Sequence, residues 1–385
     1  MTSTEGRPRS RRLRRLAAFA AIVAIQFGVF EAALRTWGSS EAAPSFQGLF
    51  EGDPTLGYRL KPNARTRFVT SEFAADIAVN SSGFRDNDEL GAKPANERRV
   101  LLLGDSLVLS VQVPFEQTFG ELLEARLNTR GGALTYRVIN GGVQGYGPIE
   151  EQLYFRKIVG IVQPDLVIPV VFVGNDAEEA FASRGKLDER RSTATAVSES
   201  LATKVRRLVR RSMVLQILRL RVVSATERFS PSAAPPEPPL QSYAARPAPR
   251  ISEGLEIATR AIDDIAKTAA AAGAATAVVL MPARFQVDDP DYGRLADAVR
   301  QAGGTLVRDA ATERFDAALS ALPIARLDVL PPLRHALPGP DLFYQETVHL
   351  TPRGHQVVAE ALDEFLARTW TVGRQEHGAR PGREP

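Results

Sequence analysis

From residue 99 onwards, short apolar runs alternate along the chain with segments whose apolar residues recur every three or four positions. Continuous aliphatic runs are typical of parallel strands buried on both faces, and the longer spacing is typical of amphipathic helices. The runs predict strands at Val100–Leu103, Tyr136–Ile139, Leu166–Val173, Thr276–Met281 and Thr305–Val307. The spaced segments predict helices at Phe115–Leu127, Ile149–Ile158, Ser252–Ala272, Tyr292–Ala302, Thr312–Ala321 and Pro352–Arg368. This alternation predicts an α/β fold in which helices cover both faces of a parallel sheet.

Two regions depart from the alternation. Residues 36–98 are interpreted as a membrane-proximal extended segment, with short strands at Gly57–Asn63 and Ile77–Arg85. An insertion at about 182–250 contains an amphipathic stretch, Leu201–Arg228, with eight basic residues and one acid, followed by a Pro-rich linker. We expect this basic helix to cover the core with a charged face, and contact with anionic lipid headgroups is the alternative. Residues 371–385 are expected to form a disordered tail.

The N-terminus combines positive charge with a long apolar segment. Residues 1–15 carry six Arg and one Glu, and Leu16–Leu34 is rich in Ala, Ile, Val and Phe. Nineteen residues of helix span about 28 Å, close to the thickness of a hydrocarbon core. The pattern predicts a basic cytosolic N-terminus at 1–15, a transmembrane anchor at 16–35 and an exported body. A signal peptide cleaved near Ser40–Ala42, with secretion of the body, is one alternative, and an amphipathic cytosolic helix is another.

Composition excludes several function classes. The net charge is +3, of which residues 1–15 supply +5, so the remaining 370 residues sum to −2 and give no basic surface for nucleic acid. The chain has no cysteine, which excludes disulfides, thiolate catalysis and Cys-based metal sites. Its four His residues show no metal-ligand spacing, so we expect neither a metal nor another cofactor.

Four polar segments fall at predicted strand ends or in a loop that can reach the same edge of the sheet. They contain Gly104–Ser106, Asn140–Gly147, Gly174–Asp176 and Glu346–His349. A serine nucleophile needs a base, a group that orients the base, and donors for the tetrahedral oxyanion. Because the carboxyl ends of parallel strands share one edge, these segments are expected to meet there.

These segments resemble the conserved blocks of the SGNH hydrolases, also called the GDSL esterase/lipase superfamily, over about residues 99–370. Ser106, Gly145, Asn175 and His349 match the four block letters in order. The resemblance implies a three-layer αβα sandwich with a flavodoxin-like sheet. It further implies that Ser106 is the nucleophile, that His349 is its base, and that the Ser106 N–H, the Gly145 N–H and the Asn175 amide form the oxyanion hole. Gly142 stays open as a rival donor. The segments from Gly57 to Arg85 also resemble a membrane-anchored bacterial subgroup.

Two positions depart from the family pattern. Glu346 stands where members usually carry Asp three residues before the His; a Glu can orient an imidazole, with a different reach. Val173 and Gly174 occupy the first two positions of the third block, while Asn175 and Asp176 are retained. Asp105 is expected to brace the turn, and His355 to be structural.

The sequence therefore predicts an exported serine esterase that cleaves an O-acyl ester, on a carbohydrate or another cell-envelope component. An O-acyltransferase that passes the acyl group to a sugar hydroxyl is an alternative with the same acyl-enzyme. A lysophospholipase and a catalytically silent envelope-binding module on the same fold are the others. Oligomeric state is not predicted.

Overall fold

The computed structural model describes residues 48–185, 240–338 and 341–370, together with Gln26 and Phe46. Apart from Gln26, these residues belong to one compact unit, Ser45–Ser192 with Glu237–Pro385. The basic N-terminus, the rest of the predicted anchor, the stretch 201–228 and the tail 371–385 lie outside the described residues. Within the described ranges, no helix combines the length and apolarity needed to cross a bilayer.

The centre of this unit is a five-stranded sheet in which every neighbouring pair of strands is parallel. Its strands are β5 (Glu97–Gly104), β6 (Thr135–Gly142), β7 (Leu166–Phe172), β8 (Ala275–Met281) and β9 (Ala325–Asp328). They lie in the order β6-β5-β7-β8-β9, which is the 2-1-3-4-5 order of flavodoxin-like sheets. The predicted parallel α/β architecture is confirmed.

Both faces of the sheet are buried, as the aliphatic runs predict. Along β5, Val100 and Leu102 belong to one apolar cluster, while Leu101 and Leu103 belong to another. The helices are α1 (Ser106–Leu109), α2 (Phe119–Thr129), α3 (Pro148–Val162), α4 (Asp176–Ser183), α5 (Pro249–Ala271), α6 (Arg284–Val287), α7 (Asp289–Gln301), α8 (Ala310–Leu319), α9 (Leu330–His335) and α10 (Pro352–Thr369). Side chains of α2 and α10 join the first cluster, and those of α3 join the second. The result is three layers.

Two predicted elements need correction. Thr305–Val307 is not a strand: Leu306 forms only an isolated bridge with Ala244, and β9 is the fifth strand. The sequence of β9 alternates apolar and charged residues because it is an edge strand, paired on one side only. The predicted helix at Phe115–Leu127 is interrupted at Thr118, whose hydroxyl caps α2 by accepting from the Glu121 N–H.

The segment before the sheet forms two antiparallel hairpins. β1 (Phe50–Asp53) pairs with β2 (Gly57–Leu60), and β3 (Arg65–Val69) pairs with β4 (Ala74–Ala78). The strand predicted at Ile77–Arg85 therefore ends early. Apolar side chains of both hairpins pack in the cluster that contains Leu101 and Leu103, so this segment shares a core with the sheet.

Candidate active site

Three of the predicted site residues follow three neighbouring strands at the carboxyl edge of the sheet. Ser106 comes after β5, Gly145 after β6 and Asn175 after β7. β5 lies between the other two strands, with Gly104 beside Gly142 and Leu103 beside Pro169. The sheet order reverses direction at this point, and open α/β sheets bind ligands in the crevice formed there.

Ser106 is the first residue of the short helix α1, and the preceding carboxylate shapes its turn. The Asp105 Oδ1 accepts a hydrogen bond from the Leu107 N–H at 2.7 Å, so Asp105 braces the turn as expected. Burial raises the pKa of Asp105 to about 6. Ser106 itself is 8% exposed, and its backbone N–H has no acceptor among the described residues.

Hydrogen bonds in the turn after β6 distinguish the two candidate oxyanion donors, Gly142 and Gly145. The Gly142 N–H donates to Asn140 Oδ1 at 3.0 Å, while Asn140 Nδ2 donates to the Val108 carbonyl at 2.7 Å. Gly145 has a φ of +69°, a left-handed conformation that favours glycine, and its N–H has no acceptor among the described residues. Gly145 therefore offers a free donor, and Gly142 does not.

Asn175 precedes α4 and is half-buried. Its Nδ2 donates to Glu179 Oε1 at 2.8 Å, and its Oδ1 is buried without a hydrogen-bond partner. Glu179 also stands close to the Gly145 turn, because a Cβ added to Gly147 would lie 3.2 Å from Glu179 Oε2. The structure thus brings Ser106, Gly145 and Asn175 to one rim.

His349 lies in the loop before α10, whose N-cap, Thr351, accepts a hydrogen bond from the Gly354 N–H through its side chain. Both ring nitrogens of His349 are buried and have no partner in the described structure, so no hydrogen bond joins the imidazole to Ser106. Burial lowers the pKa of His349 to about 4, which keeps the imidazole neutral at physiological pH.

The structure does not bring the Glu346 carboxylate to His349. Instead, Glu346 Oε2 accepts from the Ser71 hydroxyl at 3.0 Å, at the tip of the β3–β4 hairpin. The Glu346 N–H donates to Glu72 Oε2 at 2.9 Å. The hairpin therefore holds the predicted orienting group on the solvent side, where Glu346 is exposed.

Further contacts fix the backbone of the His349 loop. The Tyr344 N–H donates to the His349 carbonyl at 3.0 Å, and the Tyr344 hydroxyl donates to the Gln112 carbonyl at 3.2 Å. Arg284 donates to the carbonyls of Tyr344 and Gln345. This loop is therefore tied both to the segment after α1 and to α6. His355 is structural, since its buried Nδ1 accepts from the Phe119 N–H at 3.2 Å.

A buried cation holds the turn after the nucleophile. The guanidinium of Arg85, which is fully buried, donates to the carbonyls of Leu109, Ser110 and Val113. Burial lowers the pKa of Arg85 to about 9, so it still carries its charge at neutral pH. Arg85 thus neutralises the carbonyl end of α1.

Several carboxyl groups surround the rim. Burial, reinforced by neighbouring acids, raises the pKa of Glu179 to about 7 and the pKa of Glu151 and of Asp176 well above the usual range. Charges on these groups and on Asp105 oppose one another's ionisation. Among the described residues, no group of three or more His, Asp or Glu is arranged to hold a metal ion.

Sequence reasoning missed four residues of this site: Arg85, Asn140, Glu179 and Glu72. The spacing of four residues between Asn175 and Glu179 at a helix start was the one usable signal, since such positions face each other. Arg85 and Glu72 contact segments distant in sequence, as Asn140 does through Val108, and no local pattern marks those contacts. The bond between Asn140 and Gly142 is local, and Asn140 lies in one of the four predicted polar segments.

Residues 242–382 match the family model described as "SGNH hydrolase-like domain, acetyltransferase AlgX". The matched range includes Glu346 and His349 and lies after Ser106, Gly145 and Asn175. No curated protein matches the sequence.

Solved structures with a similar course of the chain include TesA, with 15% identity, a TM-score of 0.39 and coverage of 70% of this chain and 98% of that one. A variant of Axe2, an acetyl-xylooligosaccharide esterase from Geobacillus, has 12% identity, a TM-score of 0.37 and coverage of 72% and 97%. The esterase EstA from Pseudoalteromonas has 11% identity, a TM-score of 0.37 and coverage of 71% and 98%.

The family model covers the last part of the fold, and the four block residues occur in the chain in the family's order. Over residues 242–382, which include Glu346 and His349, the chain is similar to an SGNH hydrolase-like domain.

Proposed function

We propose that the protein is a serine acyl-ester hydrolase whose nucleophile is Ser106. The observation that carries the proposal is the pair of unengaged backbone N–H groups, those of Ser106 and Gly145, at one strand edge beside the Asn175 amide. Preorganised donors of this kind stabilise the oxyanion of acyl transfer. The competing donor, Gly142, is already bonded to Asn140.

The reaction follows from these positions. Ser106 Oγ attacks the ester carbonyl while the neutral His349 accepts the Ser106 proton, and the carbonyl oxygen becomes an oxyanion held by the three donors. When the tetrahedral intermediate collapses, the ester C–O bond breaks and His349 returns the proton to the leaving alcohol. Water, deprotonated by His349, then attacks the acyl carbonyl of the acyl-enzyme. The C–O bond to Ser106 Oγ breaks, His349 returns the proton to Ser106 Oγ, and the acid leaves. Hydrogen bonds of the catalytic Ser and base commonly tighten only when substrate binds.

In this proposal Glu346 orients His349 only after its carboxylate leaves Ser71. A Ser71→Ala variant removes the competing donor, so we expect it to retain or increase activity, whereas Glu346→Gln should lower kcat. If Glu346→Gln has full activity, Ser106 and His349 act as a dyad and the role of Glu346 is wrong.

Transfer of the acyl group to a sugar hydroxyl is a second candidate, favoured by the acetyltransferase named in the matched family model. The acyl-enzyme is common to both reactions, and the acceptor decides between them. Incubation with an acetyl donor, with and without an acetyl-free polysaccharide, separates free acetate from acetylated glycan. We propose an acylated carbohydrate of the cell envelope as the natural substrate, and the same assay on lysophospholipid tests the lipid alternative.

The test of the nucleophile is hydrolysis of p-nitrophenyl acetate by the full chain. We expect Ser106→Ala to lower kcat at least about 10³-fold, as removal of a catalytic serine does. Ser110→Ala is the matched control, because the Ser110 hydroxyl lies in the same turn and already donates to the Leu107 carbonyl. Unchanged turnover in Ser106→Ala would contradict the proposal.

We also propose that residues 16–35 anchor the protein in a membrane and that the hydrolase domain is exported. The support is the Arg cluster followed by the apolar segment. Fractionation of cells, with protease added outside, tests it. A membrane-bound domain that is cleaved while the membrane holding the anchor is still intact agrees with an exported anchored form. Full-length protein in the soluble cytosol contradicts it.

A further inference from the structure

We propose that Glu179 is a positioning residue of the oxyanion hole, holding the Asn175 amide with its NH2 group toward the substrate oxygen; this rests on the proposed function. The two residues are joined twice at the start of α4. Asn175 Nδ2 donates to Glu179 Oε1 at 2.8 Å, and the Glu179 N–H donates to the Asn175 carbonyl at 2.9 Å. The side-chain bond and the backbone bond of the helical turn therefore both hold Glu179 beside Asn175.

Glu179 lies close both to the start of α4, which carries Asn175, and to the turn that carries Gly145. A Cβ on Gly147 would approach the Glu179 Cβ to 3.0 Å and its Oε2 to 3.2 Å. Glycine at 147 is therefore what admits Glu179 this close to the turn that carries Gly145. One carboxyl group thus contacts Asn175 on one side and packs on the Gly145–Gly147 turn on the other.

The chemistry of the amide explains why such a partner is needed. An Asn side chain has an NH2 group with two donors and an oxygen that only accepts, and the two ends have nearly the same shape. A flipped amide would present its oxygen to the substrate oxyanion and repel it. Oδ1 of Asn175 has no partner among the described residues, so Glu179 is the group that selects the orientation. One N–H then binds Glu179, and the second is free for the oxyanion.

Charge supports a functional role. Burial, reinforced by the nearby acids Asp105, Glu150 and Glu178, disfavours the ionised form of Glu179 and raises its pKa. Tyr58, Glu151 and Asp176 are also within electrostatic reach. A neutral side chain would avoid this repulsion, so retaining an acid here is costly for stability alone, and perturbed acids of this kind cluster at functional sites. The carboxyl oxygen accepts from Asn175 in either protonation state.

A double-mutant cycle on the full chain tests the proposal. With p-nitrophenyl acetate, we expect Glu179→Ala to lower kcat about 10- to 100-fold and to change KM less than about 2-fold. Removal of an oxyanion donor lowers kcat about 10²–10³-fold, and a donor that is only misplaced should lower it less. Glu179→Gln keeps an acceptor and should stay within about 3-fold of the wild type. In an Asn175→Ala background, Glu179→Ala should change kcat less than about 2-fold, because its target is gone.

Glu178→Ala is the matched control, since Glu178 is equally half-buried on the same helix and has no hydrogen bond to Asn175. Should Glu179→Ala fail to fold, Glu179→Leu keeps the volume and removes the acceptor. Equal losses of kcat from Glu179→Ala in both backgrounds, or a loss confined to KM, would overturn the positioning role. An Asn175→Ala variant with wild-type kcat would instead refute the proposed oxyanion hole.

Discussion

At the scale of single residues, the site depends on polar groups that the fold leaves without partners. Ser106 and Gly145 each keep a backbone N–H without an acceptor among the described residues, whereas the N–H of Gly142, three positions before Gly145, donates to Asn140. The ring nitrogens of His349 and the Oδ1 of Asn175 are buried without partners among the described residues. Unsatisfied buried groups cost free energy, and such groups are typical of a site prepared for a ligand.

The buried imidazole makes a prediction about pH. His349 must be neutral to accept a proton, and burial lowers its pKa to about 4, so kcat/KM should fall as pH drops through about 4 rather than 6.5. The profile is best measured in Glu179→Gln with Asp105→Asn, which removes the neighbouring groups whose pKa values lie at about 7 and about 6; Asn keeps an acceptor for the Leu107 N–H at the start of α1. Circular dichroism at each pH confirms folding. A half-loss of kcat/KM near pH 6.5 would contradict the assignment of the base.

The sequence placed Ser106, Gly145 and Asn175 correctly at strand ends because each follows an aliphatic run that ends in a small or polar residue. It could not place the Glu346 carboxylate, which contacts Ser71 more than 270 positions away. Local pattern determines where a loop begins, and long-range packing determines where an exposed side chain goes.

At the scale of elements, the short helix α1 depends on contacts from outside the helix. Four residues cannot form a stable helix by themselves, because the entropy lost in ordering the first turn outweighs the stabilisation from its single hydrogen bond. Asp105 caps its beginning, and Arg85 binds the carbonyls at and beyond its end. The segment before the sheet therefore helps to hold the nucleophile in place.

Loss of the Arg85 guanidinium should be costly. We expect Arg85→Met to lower the free energy of unfolding by about 3–5 kcal/mol, because three buried carbonyls lose a charged donor. Urea unfolding measures the change. Arg59→Met is the control, since the surface pair of Arg59 with Glu51 should contribute less than about 1 kcal/mol. An equal, small effect of the two substitutions would contradict the structural role of Arg85.

Strand prediction succeeds for the three central strands and for the edge strand β6, and fails at the other edge, β9. The runs of β5, β7 and β8 are almost wholly aliphatic because parallel strands covered by helices are buried on both faces. β9 escapes prediction because an edge strand whose apolar residues alternate with charged ones resembles a loop in sequence, whereas Thr305–Val307 carries two adjacent aliphatic residues.

At the scale of the whole molecule, buried carboxyl groups near the site should oppose stability at high pH. Glu151 is 3% exposed, and its Oε1 has no partner among the described residues. Its pKa in the folded protein lies well above that in the unfolded chain, so the folded state holds the proton more strongly. The cost of ionisation therefore appears as pH rises above about 4.5 and grows until the folded pKa is passed.

A Glu151→Gln variant removes that cost. We expect its melting temperature to exceed the wild-type value by about 2–4 °C at pH 8 and by less at pH 5, from the usual relation between stability and melting temperature. Differential scanning calorimetry at the two pH values measures the difference. A variant whose advantage is equal at both, or larger at pH 5, would show that Glu151 is not a buried acid of raised pKa.

The central claim is that Ser106 is an activated nucleophile. Its most direct test is reaction of the full chain with a fluorophosphonate, followed by mass spectrometry of the modified peptide. We expect one phosphonylated residue, Ser106, with labelling abolished in Ser106→Ala and retained in Ser110→Ala. An unlabelled wild-type protein, or a label on any other residue, would contradict the account and favour a catalytically silent binding module.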